Sequence, residues 1–434
     1  MTSATPHPAR SRLAGEGLPA GVLDSIDNES VPTRNLPTGR TSVSALRAAG
    51  WHRDDLWLPA VVLHEPIVQH NLERFHRWCA EAGVEIAPHG KTTMSPHLWS
   101  AQLDRGVWGL SAATVAQARV MRDCGVSRVL IANEVIDPDQ IRWLAEQLAD
   151  PTFEPLCLVD STAGVQLLER HLAGAERSLT VLVELGVPEG RTGVREPAEA
   201  VELARRVAAS PQLRLAGIEG YEGALPQRRD GSAPEDARAW LSRLRELVVR
   251  ADEAGVFADN EEILLTAGGS AFPDLAADEF RELPTLSRPV RRVIRSGCYI
   301  THDDLSYERK SPLRSEVADD PLRPALSCYA RVLSYPEPGR VLLGVGKRDV
   351  AFDSDLPVPR AVLRHGERHE LHGTVRLVKL NDHHAFCDVT DDVLEVGDVL
   401  ELGLSHPCTV FDKWPLIPVV DATGHVVDAI RTLF

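Results

Sequence analysis

The chain has 434 residues, 43% of them hydrophobic and 25% charged, which describes an ordinary globular protein too long for one typical domain. Its formal net charge of −16 excludes a general nucleic-acid or anionic-membrane partner, because polyanions are held by basic surface, and leaves a small molecule as the expected partner. Seven scattered cysteines without CxxC spacing read as reduced thiols of a cytoplasmic protein, and no apolar run approaches the roughly 20 residues that span a bilayer.

Residues 1–54 read as an N-terminal arm, either flexible or strapped over another surface, since its first forty residues lack periodicity and any apolar core of signal-peptide type. A strand is expected over 58–64, then a helix from Pro66. From there strand-like runs near 84–87, 107–111, 129–132, 156–159, 179–184, 213–218, 263–266 and 292–294 alternate with helical patterns such as 114–124, 138–148 and 235–254. Eight β units joined by helices fit an α/β fold, a closed (β/α)₈ barrel of TIM type over 55–303, with an open doubly wound sheet as the competing layout. After about Asp303 the texture changes to short strands and turns, which predicts a β-rich C-terminal domain over 304–434.

Arginine supplies most of the basic charge, and only five lysines occur: Lys91, Lys310, Lys347, Lys379 and Lys413. Lys91 follows the first barrel strand in Ala87-Pro88-His89-Gly90-Lys91-Thr92, where a barrel places its active site. A desolvated lysine amine can act as a nucleophile toward a carbonyl, which arginine cannot. Gly268-Gly269-Ser270 follows the seventh strand and Arg295-Ser296-Gly297-Cys298-Tyr299 the eighth, and glycines there let backbone N–H groups approach an anion. Amine and anion cradle together suggest an aldehyde that carries a phosphate, for which pyridoxal 5′-phosphate is the obvious candidate.

These segments resemble the fold-type III pyridoxal-phosphate enzymes, in the D-serine dehydratase and D-threonine aldolase branch of the alanine racemase-like proteins, which includes amino acid deaminases of actinobacterial type. The resemblance covers about residues 55–434. His89-Gly90-Lys91-Thr92 is similar to the branch's lysine motif, which implies Lys91 as the cofactor-bearing and catalytic residue, with His89 beside it. Val183-Glu184-Leu185-Gly186 through Gly190-Arg191-Thr192-Gly193 implies Arg191 at the pyridine nitrogen, and Gly217 through Gly223 implies Tyr221 beside the cofactor. Gly268, Gly269, Ser270, Gly297 and Tyr299 resemble the phosphate grip. The resemblance also implies that strand 58–64 joins the β domain and that two subunits form a head-to-tail homodimer.

Near the C-terminus, His406-Pro407-Cys408 read as a strand would put both side chains on one face, where they could share a metal. The resemblance implies that His406 and Cys408 bind Zn²⁺ or another divalent ion, and a thiolate favours zinc. His384 keeps the branch's histidine, as a base or close to the metal, within Asp382-His383-His384-Ala385, which departs from the branch pattern. The implied reaction is dehydration and deamination of a D-3-hydroxy amino acid to a 2-oxo acid and ammonia. Aldol cleavage to glycine and an aldehyde is the nearest rival and racemisation the third. A non-catalytic carrier of the cofactor is the alternative of another class, against which the large β domain argues.

Overall fold

Eight parallel strands follow one another around a ring: Glu85–Ile86, Leu110–Ala112, Arg128–Glu134, Glu154–Val159, Leu179–Leu185, Leu213–Gly220, Ile263–Ala267 and Val290–Ile294. In this computed structural model, which describes residues 13, 15–390 and 393–434, the last strand pairs with the first through Val293 with Glu85 and Ile294 with Ile86. Between the first two strands, Trp108 N–H donates to the Ile86 carbonyl and Ser111 N–H to that of Pro88, both at 2.9 Å. The sheet is therefore a closed barrel and the open doubly wound layout is excluded.

The strands are apolar on both faces because helices cover the outside and side chains fill the inside; Leu179–Leu185 is buried at every residue. Ala87, Leu130, Leu156, Leu158, Leu182, Ala216, Leu264 and Val293 form a separate interior cluster, the packed centre of the ring. The outer helices start at local signals. Thr114 and Ser161 accept the Gln117 and Gly164 N–H groups at 3.2 Å, and Asp137 caps a helix whose first residue is Pro138.

Ala60–His64 stays out of the ring. It pairs antiparallel with Leu326–Glu337 and parallel with Leu416–Val420. Leu326–Glu337 is the hub of the C-terminal β region: it also pairs with Arg340–Leu343 and Val399–Gly403, and through them reaches Ala385–Val389, Val375–Leu380, Val358–Arg364 and Glu367–Glu370. Of these, 358–364, 367–370 and 385–389, and the final strand Val426–Arg431, are additions to the sequence reading. They are short, Val358–Arg364 contains a proline and two arginines, and Glu367–Glu370 is polar at every residue, so the alternation that marks a strand is weak.

From residue 15 the N-terminal segment is a packed strap. The buried Asp27 of helix Val22–Asn28 accepts from His97 Nε2 at 2.7 Å and from Arg47 at 2.5 Å, and Arg47 also donates to Asp428 at 2.6 Å. The aperiodic stretch 1–12 and residue 14 lie outside the described residues.

Candidate active site

Lys91 sits in a single helical turn, Gly90–Thr92, at the C-terminal mouth of the barrel. Trp99 Nε1–H donates to the Gly90 carbonyl at 3.2 Å, and a Cβ on Gly90 would lie 2.4 Å from Met121 Cε. The chain passes close to the following helices here, and the turn aims the next side chain into a cavity of 470 Å³. That volume is within the range of small-molecule sites.

The cavity brings together most of the residues singled out in the sequence: His89, Lys91, Arg191, Tyr221, Gly269, Ser270, Gly297, His406 and Cys408 all line it. Burial lowers Lys91 below an ordinary amine; Cys408 acts in the opposite sense, while Arg191 and Arg295 add to the lowering. Burial, with Lys91 and Arg295 next, holds His89 well below its usual range, so this ring is neutral. Its Nδ1 is buried with no hydrogen-bond partner. The Arg191 guanidinium lies 4.7 Å from the Tyr221 ring centroid, a cation over an aromatic face.

Two expectations are corrected, and a third residue lies apart from the cavity. The Gly268 and Gly269 N–H groups donate to the buried Glu222 carboxylate, at 3.0 and 2.6 Å, so these two amides order the loop and are not free for an anion. Tyr299 is turned away from the cavity: its ring stacks on Phe75 at 4.3 Å and its hydroxyl meets Gln102 at 3.1 Å. His384 is exposed at the Leu380–Ala385 turn and does not line the cavity of its own chain.

His406 and Cys408 are also not on a strand. His406 has φ +48° in a turn, and Cys408 opens the short helix Cys408–Phe411. The turn is held by His406 N–H donating to Asp303 at 2.8 Å. It places the Cys408 sulfur 3.6 Å from Thr92 Oγ1, beside Lys91, and 3.7 Å from the Cys298 sulfur. His406 Nδ1 lies 2.5 Å from Asp353 Oδ2, and Thr409 Oγ1 donates to Asp353 Oδ1 at 2.8 Å. Burial works to raise Asp353, but the hydrogen bonds from Thr409 and His406 outweigh it and hold the carboxyl below its ordinary value. Asp353 and Cys298 escaped the sequence reading as site residues. Cys298 was within a quoted segment, whereas nothing around Asp353 marks it, 53 residues from its partner.

Behind the cavity the barrel carries a buried polar layer. Arg295 pairs with Glu219 and donates to Thr266 Oγ1 at 2.7 Å and the Gly220 carbonyl at 3.0 Å. Glu134 is pushed up to about 9 by burial and by the neighbouring Glu184.

Residues 65–275 match the family "Alanine racemase, N-terminal domain", and residues 325–420 match "Putative serine dehydratase domain". The chain is a fold-type III pyridoxal-phosphate enzyme. Within this family it falls in the branch that joins a racemase-type barrel to a dehydratase-type β domain. A D-threonine aldolase of Arthrobacter sp is 26% identical over 359 residues, 82% of this chain and 86% of that protein. The solved D-threonine aldolase of Filomicrobium marinum has a TM-score of 0.75 at 23% identity, over 93% of this chain and 98% of that one. D-threo-3-hydroxyaspartate dehydratase from Delftia sp. HT23 has a TM-score of 0.69 at 21% identity, over 87% and 97%.

The residues present fit the family's cofactor. A Cβ on Gly297 would lie 2.7 Å from the His89 carbonyl oxygen, and one on Gly269 2.7 Å from Tyr221, so both glycines keep open a cradle that any side chain would crowd. Lys91 supplies the desolvated amine. For a metal, the donor set is one imidazole, with Nδ1 engaged by Asp353 and Nε2 left over, and one thiol facing the cavity. Among the described residues no three His, Cys, Asp or Glu side chains converge on one ion position. None of the described helices is long and apolar enough to cross a membrane.

Proposed function

We propose that the protein is a pyridoxal-phosphate- and metal-dependent lyase of D-3-hydroxy amino acids, which eliminates the β-hydroxyl and yields a 2-oxo acid and ammonia. One observation carries the reading: the Lys91 amine and the His406–Cys408 pair, from opposite ends of the chain, line one cavity of small-molecule size. When bound, the cofactor supplies an electron sink for the bond broken at the substrate's α-carbon.

Lys91 accepts the α-proton, a role its lowered basicity suits because a larger neutral fraction is present near neutral pH. Arg191 and Tyr221 would lie beside the cofactor ring, and Ser270 and Gly297, which line the same cavity, would hold its phosphate. His406 and Cys408 would hold the ion, with zinc favoured by the thiolate, and the ion would supply a Lewis acid for the β-hydroxyl. Asp353 fixes the His406 ring and leaves Nε2 to face the ion.

Aldol cleavage to glycine and an aldehyde is the second reading, favoured by the name of the Arthrobacter relative. It uses the same residues, with the proton taken from the hydroxyl. The deciding experiment incubates the protein, loaded with pyridoxal phosphate and zinc, with D-threonine and with 3-hydroxy-D-aspartate. Ammonia with a 2-oxo acid supports dehydration; glycine with an aldehyde replaces it by cleavage; neither from either substrate sinks the lyase reading.

The organisation that goes with this proposal is an arm over 1–54, a barrel domain over 55–303 and a metal-binding β domain over 304–434, assembled as a homodimer. His384, outside its own chain's cavity, keeps a catalytic role only if that dimer carries it to the other cavity. Sedimentation mass checks the dimer, and complementation between a Lys91→Ala and a His384→Ala chain checks the sharing.

A further inference from the structure

The two sulfurs at the cavity floor have a consequence of their own. Cys298 follows the eighth barrel strand and is 4% exposed; Cys408 belongs to the β region and is half-buried against the cavity. Their sulfurs are 3.7 Å apart, in contact across the two regions, and both touch Thr92 Oγ1, at 3.8 and 3.6 Å. Among the described residues no other two cysteine sulfurs lie within hydrogen-bonding distance, and the other five thiols are buried. Both members of this pair border the cavity, so a small oxidant that enters it meets them together.

We propose that Cys298 and Cys408 form a dithiol site which a peroxide converts to a disulfide, covalently joining the barrel to the β region. The Cys408 sulfur attacks the peroxide O–O bond, keeps one oxygen as a sulfenic acid and releases the other as water. The Cys298 sulfur then displaces that oxygen as a second water, and the S–S bond forms. Two thiols are oxidised and one peroxide is reduced to two waters. To form the bond the sulfurs close from 3.7 Å to about 2 Å.

The link removes one of the two proposed metal donors, so metal and disulfide compete for Cys408. That competition rests on the metal assignment above, whereas the link itself does not.

The test treats the full-length protein with hydrogen peroxide, with and without prior zinc, then counts free thiols after denaturation and maps peptides without reductant. In the zinc-free sample thiols fall from seven to five, the fragment with Cys298 joins the fragment with Cys408, and a dithiol reductant restores all seven. In Cys298→Ser the link is absent and Cys408 proceeds to sulfinic acid; in Cys408→Ser Cys298 stays reduced. Thiol loss without this link, or a link to another cysteine, overturns the proposal. Zinc slows the linkage; equal rates with and without zinc overturn the competition, and with it the place of Cys408 on the metal, while leaving the link standing.

Discussion

The two walls of the cavity are built in different ways. The barrel wall presents Lys91, Arg191, Tyr221 and the glycines from loops that each follow a strand of the ring, so regular hydrogen bonding fixes where each loop begins. The β-region wall presents His406 and Cys408 from a turn with a positive φ, held by single hydrogen bonds to Asp303 and Asp353. In the proposed site the covalent anchor comes from the rigid half and the metal donors from the half whose geometry depends on a few contacts. Mutations should therefore act abruptly on one wall and by degrees on the other.

The largest expected effect is on the barrel wall. Lys91→Ala removes both the amine that carries the cofactor and the proton acceptor, and activity should fall by at least about 10²–10⁴-fold, with loss of the lysine-linked cofactor absorbance. Retention of that absorbance would show that another lysine carries the cofactor and would undo the assignment.

On the other wall the first step is metal removal. A chelator, or His406→Ala, should abolish zinc binding measured by elemental analysis while cofactor binding persists, so that the two walls fail separately. If cofactor and metal are lost together, the walls are one cooperative unit and the comparison fails. A graded version is Asp353→Asn, which leaves the imidazole but loosens its orientation; metal affinity should weaken by about 10- to 100-fold, read by competition with a chromophoric chelator.

The smallest effect is on stability. Burial holds His64, on the strand that joins the β region, and His76, on the helix beside the barrel, each down to about 4 from an ordinary 6.5. Unfolding restores the ordinary value, so below about pH 6.5 the unfolded chain binds the extra protons. Stability is fully present above that pH and is lost as the pH falls toward 4, at most about 2 kcal/mol for each ring by pH 5. Melting curves at pH 7 and pH 5 should show the drop, and His64→Asn and His76→Gln should each flatten it. A larger flattening from His64→Asn would identify the β region as the first to loosen.

Much of the barrel wall was legible in the chain. The eight apolar runs and their spacing gave the ring, because strands buried on both faces leave a continuous hydrophobic trace. Lys91 stood out because lysine is scarce, and Gly297 because its position after the last strand needs close backbone approach. The errors cluster where a local motif has two readings. Gly268-Gly269 looked like a free anion nest, but Glu222, 46 residues away from Gly268, takes both amides. His406-Pro407-Cys408 looked like a strand, but the chain turns there. Tyr299 is adjacent to a cavity residue and still faces the core, because Phe75 stacks on it.

By itself, then, the sequence determined the order of elements and the β-rich end and singled out the candidate reactive groups, since these follow from periodicity, turn residues and side-chain chemistry, while the closing of the barrel needed the pairing of its last strand with its first. Which groups meet was decided only by the fold. Asp353 behind His406, Cys298 against Cys408, and Glu222 under the glycine loop are contacts between segments distant in the chain, and no local pattern encodes a distance that exists only once those segments pack together.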